Sequence, residues 1–143
     1  MILVDANILI YASTPVMKEH AAAHHWLDET LSGGSRVGLP WASLLTFLRL
    51  ISNPRVFESP PSLTEAWGQV ERWLSLDSVW IPAATDQHAK VLGSLLAQAS
   101  ERADLVADAH LATLAIEHGL TLYSADRDFA RFSGLRWENP LAS

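Results

Sequence analysis

The chain has no cysteine, which excludes disulfides, thiolate metal sites and cysteine nucleophiles. It lacks any apolar run approaching the roughly 18 to 20 residues of a membrane span, and so reads as a soluble protein. No basic stretch precedes the first apolar segment, and Asp5 interrupts that segment before a signal-peptide core can develop; the expected location is the cytoplasm. Also missing are the Gly-x-Ser-x-Gly elbow of serine hydrolases and the Gly-x-Gly-x-x-Gly turn or P-loop of nucleotide binders. Bases are in short supply, with 10 Lys and Arg against 16 Asp and Glu, a net charge of −6. Residues 1–57 carry four acids and four bases, so the excess falls on residues 58–143, with twelve acids and six bases. A broad basic face is therefore absent. A nucleic-acid substrate would need a cation to offset the repulsion, and Arg36, Arg49, Arg55, Arg131 or Arg136 would have to form a local track.

What is present is enough for one domain. The length of 143 residues and the 49% hydrophobic content suit a single core that buries about two-thirds of the unfolded chain's surface. The pattern alternates strand and helix. Ile2 to Val4 reads as a buried parallel strand, followed at once by a helix. Met17 to Leu31 has helical spacing and stops at Ser32-Gly33-Gly34-Ser35, and Arg36 to Leu39 is a second strand. Pro40 precedes an apolar helix from Trp41 to Ile51 that Asn53-Pro54 ends. Phe57 to Ser62 is a loop, and Ser62-Leu63-Thr64-Glu65 is a capping box opening a helix to about Ser75. Val79 to Ile81 is a third strand, and Thr85 or Asp86 caps a helix through about Ala99. Leu105 to His118 is helical and closes at Gly119, Thr121 to Tyr123 is strand four, Asp126 to Phe132 a short helix or turn, and Leu135 to Glu138 an edge strand. With no repeat and no linker, residues 1–143 are expected to form one α/β domain with a mostly parallel sheet of four to five strands flanked by helices.

Open parallel sheets place ligand sites outside the carboxyl ends of their strands. Asp5 stands at such an end, and Asp126 lies three residues past strand four, so both reach one rim if those strands are neighbours. Asp104 and Asp108 are spaced i,i+4 on one helical face. Gathered carboxylates repel unless a hard cation such as Mg²⁺ or Mn²⁺ neutralises them. Structural roles compete at each position: Asp5 as a helix cap, Asp126 or more readily Asp128 as the cap of the short helix after strand four, and Asp104 as a first-turn acid favoured by the helix dipole. Asp108, among Val106, Ala107, Leu111, Ala112 and Leu114, is hardest to explain as structure, because an unneutralised charge there is costly.

Three segments in order, Ile2-Leu3-Val4-Asp5-Ala6-Asn7, Asp108-Ala109-His110-Leu111-Ala112 and Leu122-Tyr123-Ser124-Ala125-Asp126-Arg127-Asp128-Phe129, resemble the PIN-domain ribonucleases, and more narrowly the VapC-type toxins. Phe132-Ser133-Gly134-Leu135 and Asn139-Pro140-Leu141 continue the likeness to the end of the chain. The resemblance implies a metal-dependent endoribonuclease, the toxin of a toxin-antitoxin pair. Asp5, Asp108 and Asp126 would hold Mg²⁺, with Mn²⁺ able to substitute, and Asn7 would support them. It also implies an RNA substrate, a VapB-type antitoxin that inserts a segment toward the acidic pocket, and a homodimer. A Mg²⁺ ion held by few carboxylates keeps several waters, one of which is polarised to attack a phosphodiester, leaving a 5′-phosphate and a 3′-hydroxyl. The chain departs from the family at Thr46, where a glutamate is usual; Asp104 or Asp128 would then supply the missing charge.

Other chemistries remain beside this one. His20 and His24 share a helical face, a possible start for a zinc site, but no glutamate sits between them and no further ligand completes a tetrahedron. His110 faces away from Asp108 on its helix and is expected to pack or meet solvent. Six tryptophans suit the core, base stacking or an interface; Trp67 and Trp73 do not share a helical face, so one of them is expected to point outward. A phosphatase of the haloacid-dehalogenase type also starts with an aspartate after an apolar strand but needs a second aspartate where Asn7 stands. A PIN-like binding module with a decayed site is the third reading, motivated by Thr46 and the acidic surface.

Overall fold

A computed structural model describes residues 1–142. Five short strands form one sheet: β1 (Ile2–Val4), β2 (Val37–Gly38), β3 (Val79–Trp80), β4 (Thr121–Tyr123) and β5 (Trp137–Glu138). Their spatial order is β3-β2-β1-β4-β5, and every pairing is parallel. β1 is therefore central, with Leu3 and Val4 fully buried, which is why the first apolar run has no polar alternation. Chain order reverses on the two sides of β1, so the rim above β1 and β4 is the crevice where such sheets bind ligands.

Six helices cover the sheet: α1 (Ala6–Ala12), α2 (His20–Ser32), α3 (Trp41–Ile51), α4 (Leu63–Leu74), α5 (His88–Ala97) and α6 (Val106–Glu117). Two 3-10 segments, Ala103–Leu105 and Arg127–Arg131, flank the acidic rim. The core falls into two apolar groups on the two sides of the sheet. One joins Val4, Ile8 and Leu9 to Leu44, Phe47 and Trp73; the other joins Leu3, Ala112, Leu122 and Phe129. Phe47 and Trp73 meet edge to face at 4.9 Å, locking α3 to α4. Trp73 is thus the buried member of its pair, while Trp67 is 40% exposed.

Several boundaries differ from expectation. α2 starts at His20 rather than Met17, because Thr14 to Met17 first forms a turn in which the Met17 amide donates to the Thr14 carbonyl. α5 starts at His88 without a side-chain cap: the Thr85 hydroxyl accepts from the Gln87 amide, and the Glu117 carboxylate holds the Thr85 amide at 2.9 Å, so the turn is fixed from outside. The capping box at Ser62 and Glu65 is present in both directions. Gly119 ends α6 with a φ of +66°, a left-handed conformation that suits glycine. Among the described residues, no helix is long and apolar enough to cross a membrane.

Candidate metal centre

Strands β1 and β4 pair in register, with Val4 opposite Tyr123, so the residues that follow them emerge side by side. Asp5 caps α1: its Oδ1 accepts from the Ala6 amide at 2.7 Å, and its Oδ2 accepts from the Ser124 hydroxyl at 2.7 Å. Ser124 is fully buried, and its oxygen also accepts from Asn7 Nδ2 at 3.1 Å and from the Asp126 amide at 3.0 Å. Asn7 Oδ1 in turn takes the Ala125 amide at 3.4 Å. One hydroxyl therefore ties the end of β1, the start of α1 and the turn after β4 together. Ser43, also buried, donates to the Val4 carbonyl at 2.8 Å and brings α3 against the same rim.

From the other side, α6 delivers Asp108 in its first turn. Carboxylate oxygens of Asp108, Asp126 and Asp128 lie within 4.8 Å of one another. Asp5 stands outside this tightest trio but shares a pocket with Asp108, lined as well by Ser43, Thr46 and Arg49. The four carboxylates feel each other. Burial, followed by repulsion from Asp126, Asp5, Asp128 and Asp104, pushes the Asp108 carboxyl up to about 7. Burial likewise raises Asp5, although its bonds to Ser124 and Ala6 pull the other way.

Not every expected residue joins. Asp104, exposed on the 3-10 turn, pairs with Arg102 at 2.7 Å, and that guanidinium holds its carboxyl below the usual range. The cap of the Arg127–Arg131 segment is Asp126 rather than Asp128, since Asp126 Oδ1 accepts the Asp128 amide at 2.9 Å. Asp128 is freed to face Arg102 at 3.4 Å and Arg131 at 3.7 Å, which partly neutralise it. Of the arginines expected to form a track, Arg49 and Arg131 border the acids, whereas Arg36 lies over the Trp80 ring at 4.6 Å and Arg136 binds the Gly119 carbonyl. Thr46 lines the acidic pocket, as expected for the position where the family usually has a carboxylate. Sequence reasoning did not single out Ser124 or Arg102. The signal for Ser124 was its place immediately after a buried strand and two residues before Asp126; Arg102 carried no local signal.

The donor set is carboxylate oxygen alone, the kind that hard divalent cations take, and the mutual repulsion disfavours an ion-free anionic cluster. The residues fit such an ion. The rival histidine site does not assemble: His20 Nδ1 is bonded to the Tyr11 carbonyl, His24 faces Asp28 and His25 faces Glu29. Asn7 is committed to Ser124, which leaves the phosphatase reading without its second acid.

Comparison with known proteins agrees with this architecture. The PIN domain family model matches residues 2–135. Ribonuclease VapC37 of Mycobacterium tuberculosis is 42% identical over 142 residues, covering 99% of each chain. Ribonuclease VapC33 of the same species is 36% identical over 141 residues, again covering 99% of each. Among solved structures, VapBC2 from Rickettsia felis bound to a DNA fragment from its promoter matches with a TM-score of 0.71 at 19% identity, covering 97% of this chain and 98% of that one, a likeness of fold. With the parallel sheet, the acidic rim and these matches together, the chain belongs to the PIN-domain family.

Proposed function

We propose that this protein is a divalent-metal-dependent endoribonuclease, the toxin of a VapBC-type toxin-antitoxin pair. Full-length similarity to proteins named VapC ribonucleases supports the reading. The observation that carries it is the convergence of acids from β1, α6 and the turn after β4 on one sheet rim, with Asp108, Asp126 and Asp128 closest together.

Asp5, Asp108 and Asp126 would hold the cation, Mg²⁺ with Mn²⁺ as a substitute. Bound there, such an ion neutralises charge on a phosphodiester and acidifies water at the site. The chain's own groups do the positioning. Ser124 and the Ala6 amide engage both oxygens of Asp5, and the Asp128 amide engages one oxygen of Asp126, so these carboxylates are oriented before any ligand arrives. Arg49 at the pocket supplies positive charge toward a substrate phosphate that the acids alone would repel. Arg102 and Arg131 pair with Asp128 and offset its charge, which suits it to a supporting role beside Asp108 and Asp126. Thr46 adds no charge, so the site works with one acid fewer than is usual in the family.

A VapB-type antitoxin segment entering the acidic pocket, a homodimer and a cytoplasmic location belong to the same proposal. The decisive experiment incubates structured RNAs with the protein and Mg²⁺ or Mn²⁺, with and without EDTA. Cleavage that EDTA abolishes, with 5′-phosphate and 3′-hydroxyl ends, supports the reading. Cleavage that persists in both Asp5→Asn and Asp108→Asn refutes the metal assignment, and an inactive parent chain points instead to a binding module. Sedimentation of the purified chain checks the dimer.

A further inference from the structure

Beside the acidic pocket lies a second groove, of about 170 Å³, walled by Pro40, Trp41, Ala42, Pro82, His110 and Leu114. Ala42 lines both, so the groove opens directly beside the place where a substrate phosphate would sit. Its volume, roughly six waters' worth, suits one planar ring. Trp41 is 43% exposed, and its ring lies nearly parallel to that of Trp67, with centroids 6.5 Å apart and 10° between planes. Trp67 on α4 thus holds the Trp41 ring of α3 at the groove edge in offset-stacked geometry.

The polar member of the wall is held by a half-buried chain of hydrogen bonds. The Glu117 carboxylate, whose side chain is withdrawn from solvent, accepts from the Thr85 amide at 2.9 Å and from His88 Nδ1 at 2.6 Å. His88 Nε2 meets His110 Nδ1 at 3.1 Å. That contact occupies His110 Nδ1 and leaves His110 Nε2 to bond a partner in the groove, as donor or acceptor according to the ring's tautomer. Polar chains of this kind fix geometry more surely than they add stability. Here the geometry fixed is that of the single histidine in the groove wall.

We infer that this groove is a nucleobase subsite, in which Trp41 stacks on an unpaired base next to the cleaved phosphate while His110 Nε2 hydrogen-bonds that base's edge. Sequence-selective recognition of single-stranded RNA commonly joins an aromatic platform to one or two edge contacts. The wall residue Ala42, shared with the acidic pocket, puts the groove within reach of the same substrate and favours it as occupant over a separate protein segment. The inference rests on the ribonuclease reading and deepens it by naming residues that select the cut.

The test uses a short randomised single-stranded RNA pool with Mn²⁺, both ends of each product being sequenced, followed by kcat and KM on the preferred oligonucleotide. The parent should show a base preference at one position flanking the cut. Trp41→Ala should raise KM roughly tenfold with kcat little changed, as loss of one base–aromatic stack predicts, and Trp41→Phe should restore most of the affinity. His110→Gln should erase the preference at that position alone. If Trp41→Ala fails to fold, as judged by circular dichroism, His110→Gln decides: a folded His110→Gln chain that keeps the parent's base preference overturns the subsite. A Trp41→Ala chain that cleaves normally but changes its oligomeric state assigns the groove to a second copy and overturns it too. A parent that cuts nothing overturns the ribonuclease reading itself, an outcome distinct from a cutting parent whose variants keep its preference.

Discussion

The Ser124 hydroxyl donates to Asp5 Oδ2 at 2.7 Å, joining residues 119 positions apart in the chain. The same oxygen accepts from Asn7 and from the Asp126 amide, so the geometry of two of the three proposed cation ligands passes through one buried atom. An anionic Asp5 would otherwise face both burial and Asp126 without a nearby side-chain donor. The serine therefore acts on the site without being a ligand.

Ser124→Ala removes that atom and leaves Asn7 Nδ2 and the Asp126 amide without their partner. The expected cost is about 1–3 kcal/mol of stability and roughly 10–100-fold in cation affinity, as for loss of a group that orients a ligand. Denaturant titration and calorimetric Mn²⁺ titration measure the two separately. Unchanged Mn²⁺ affinity in a folded variant would show that Asp5 needs no such support.

Asp108→Asn should stabilise the ion-free protein in a pH-dependent way. The parent carboxyl is raised to about 7, first by burial and then by the neighbouring acids. Its unfolded-state value is about 3.9, so folding takes up a proton between those two pH values, and the parent's stability from this group is full below about pH 3.9 and is lost as pH rises through about 7. Asparagine does not titrate. In EDTA, the Tm of Asp108→Asn minus that of the parent should grow from about pH 4 to about pH 7 and then level off. A difference that stays flat across this window would mean that neither burial nor the neighbouring acids raise the Asp108 carboxyl.

Divalent cations should raise the parent's Tm, because they bind the folded site and not the dispersed acids of the unfolded chain. At a hundredfold excess over Kd, the stabilisation is about 2.7 kcal/mol. Asp5→Asn or Asp108→Asn should abolish the rise. Asp104→Asn should keep it, since Asp104 is spent on Arg102 at the exposed edge. A rise that survives in Asp108→Asn would place the ion elsewhere.

Thr46→Glu adds a carboxylate to the pocket shared by Asp5, Asp108 and Arg49. In EDTA the extra negative charge should lower the Tm, and with Mn²⁺ the rise should exceed the parent's, as further ligand charge tightens a hard-cation site. Scanning calorimetry at both conditions reads both signs. Equal Mn²⁺-induced shifts in variant and parent would show that residue 46 does not address the ion.

Gly38→Ala should destabilise the protein without touching the acids. A Cβ there would sit 2.8 Å from Pro82 Cγ and 3.1 Å from the Ile2 carbonyl, inside the central part of the sheet. Overpacking of this kind costs about 1–3 kcal/mol. Urea denaturation provides the value, and a change below experimental error would indicate that the Pro82 loop gives way freely.

Much of the site was readable from local patterns. Ile2 to Val4 followed by Asp5, and Thr121 to Tyr123 with Asp126 three residues on, mark two largely apolar strands whose polar successors sit at the rim, because the inner part of a parallel sheet is covered on both faces. The Ser62 and Glu65 box and Gly119 likewise declare helix ends through hydrogen bonds spanning only a few residues. The starts of α2 and α5 were not readable in the same way. Both follow turns, and the one before α5 is held by Glu117, some thirty positions downstream.

Local order thus belongs to the sequence: which segments are strand or helix, that acids cluster at segment ends, and that no thiol chemistry is available. Tertiary structure alone decided which acids meet. It separated Asp104 from Asp108 despite their i,i+4 spacing, because Asp104 falls on a 3-10 turn beside Arg102. It made Asp126 rather than Asp128 the cap of the short helix, and it brought His88, His110 and Glu117 into one chain from two helices. The physical reason is that backbone hydrogen bonding and apolar periodicity act over a few residues, whereas electrostatic repulsion and side-chain pairing depend on through-space distance, which only the packed sheet and helices set.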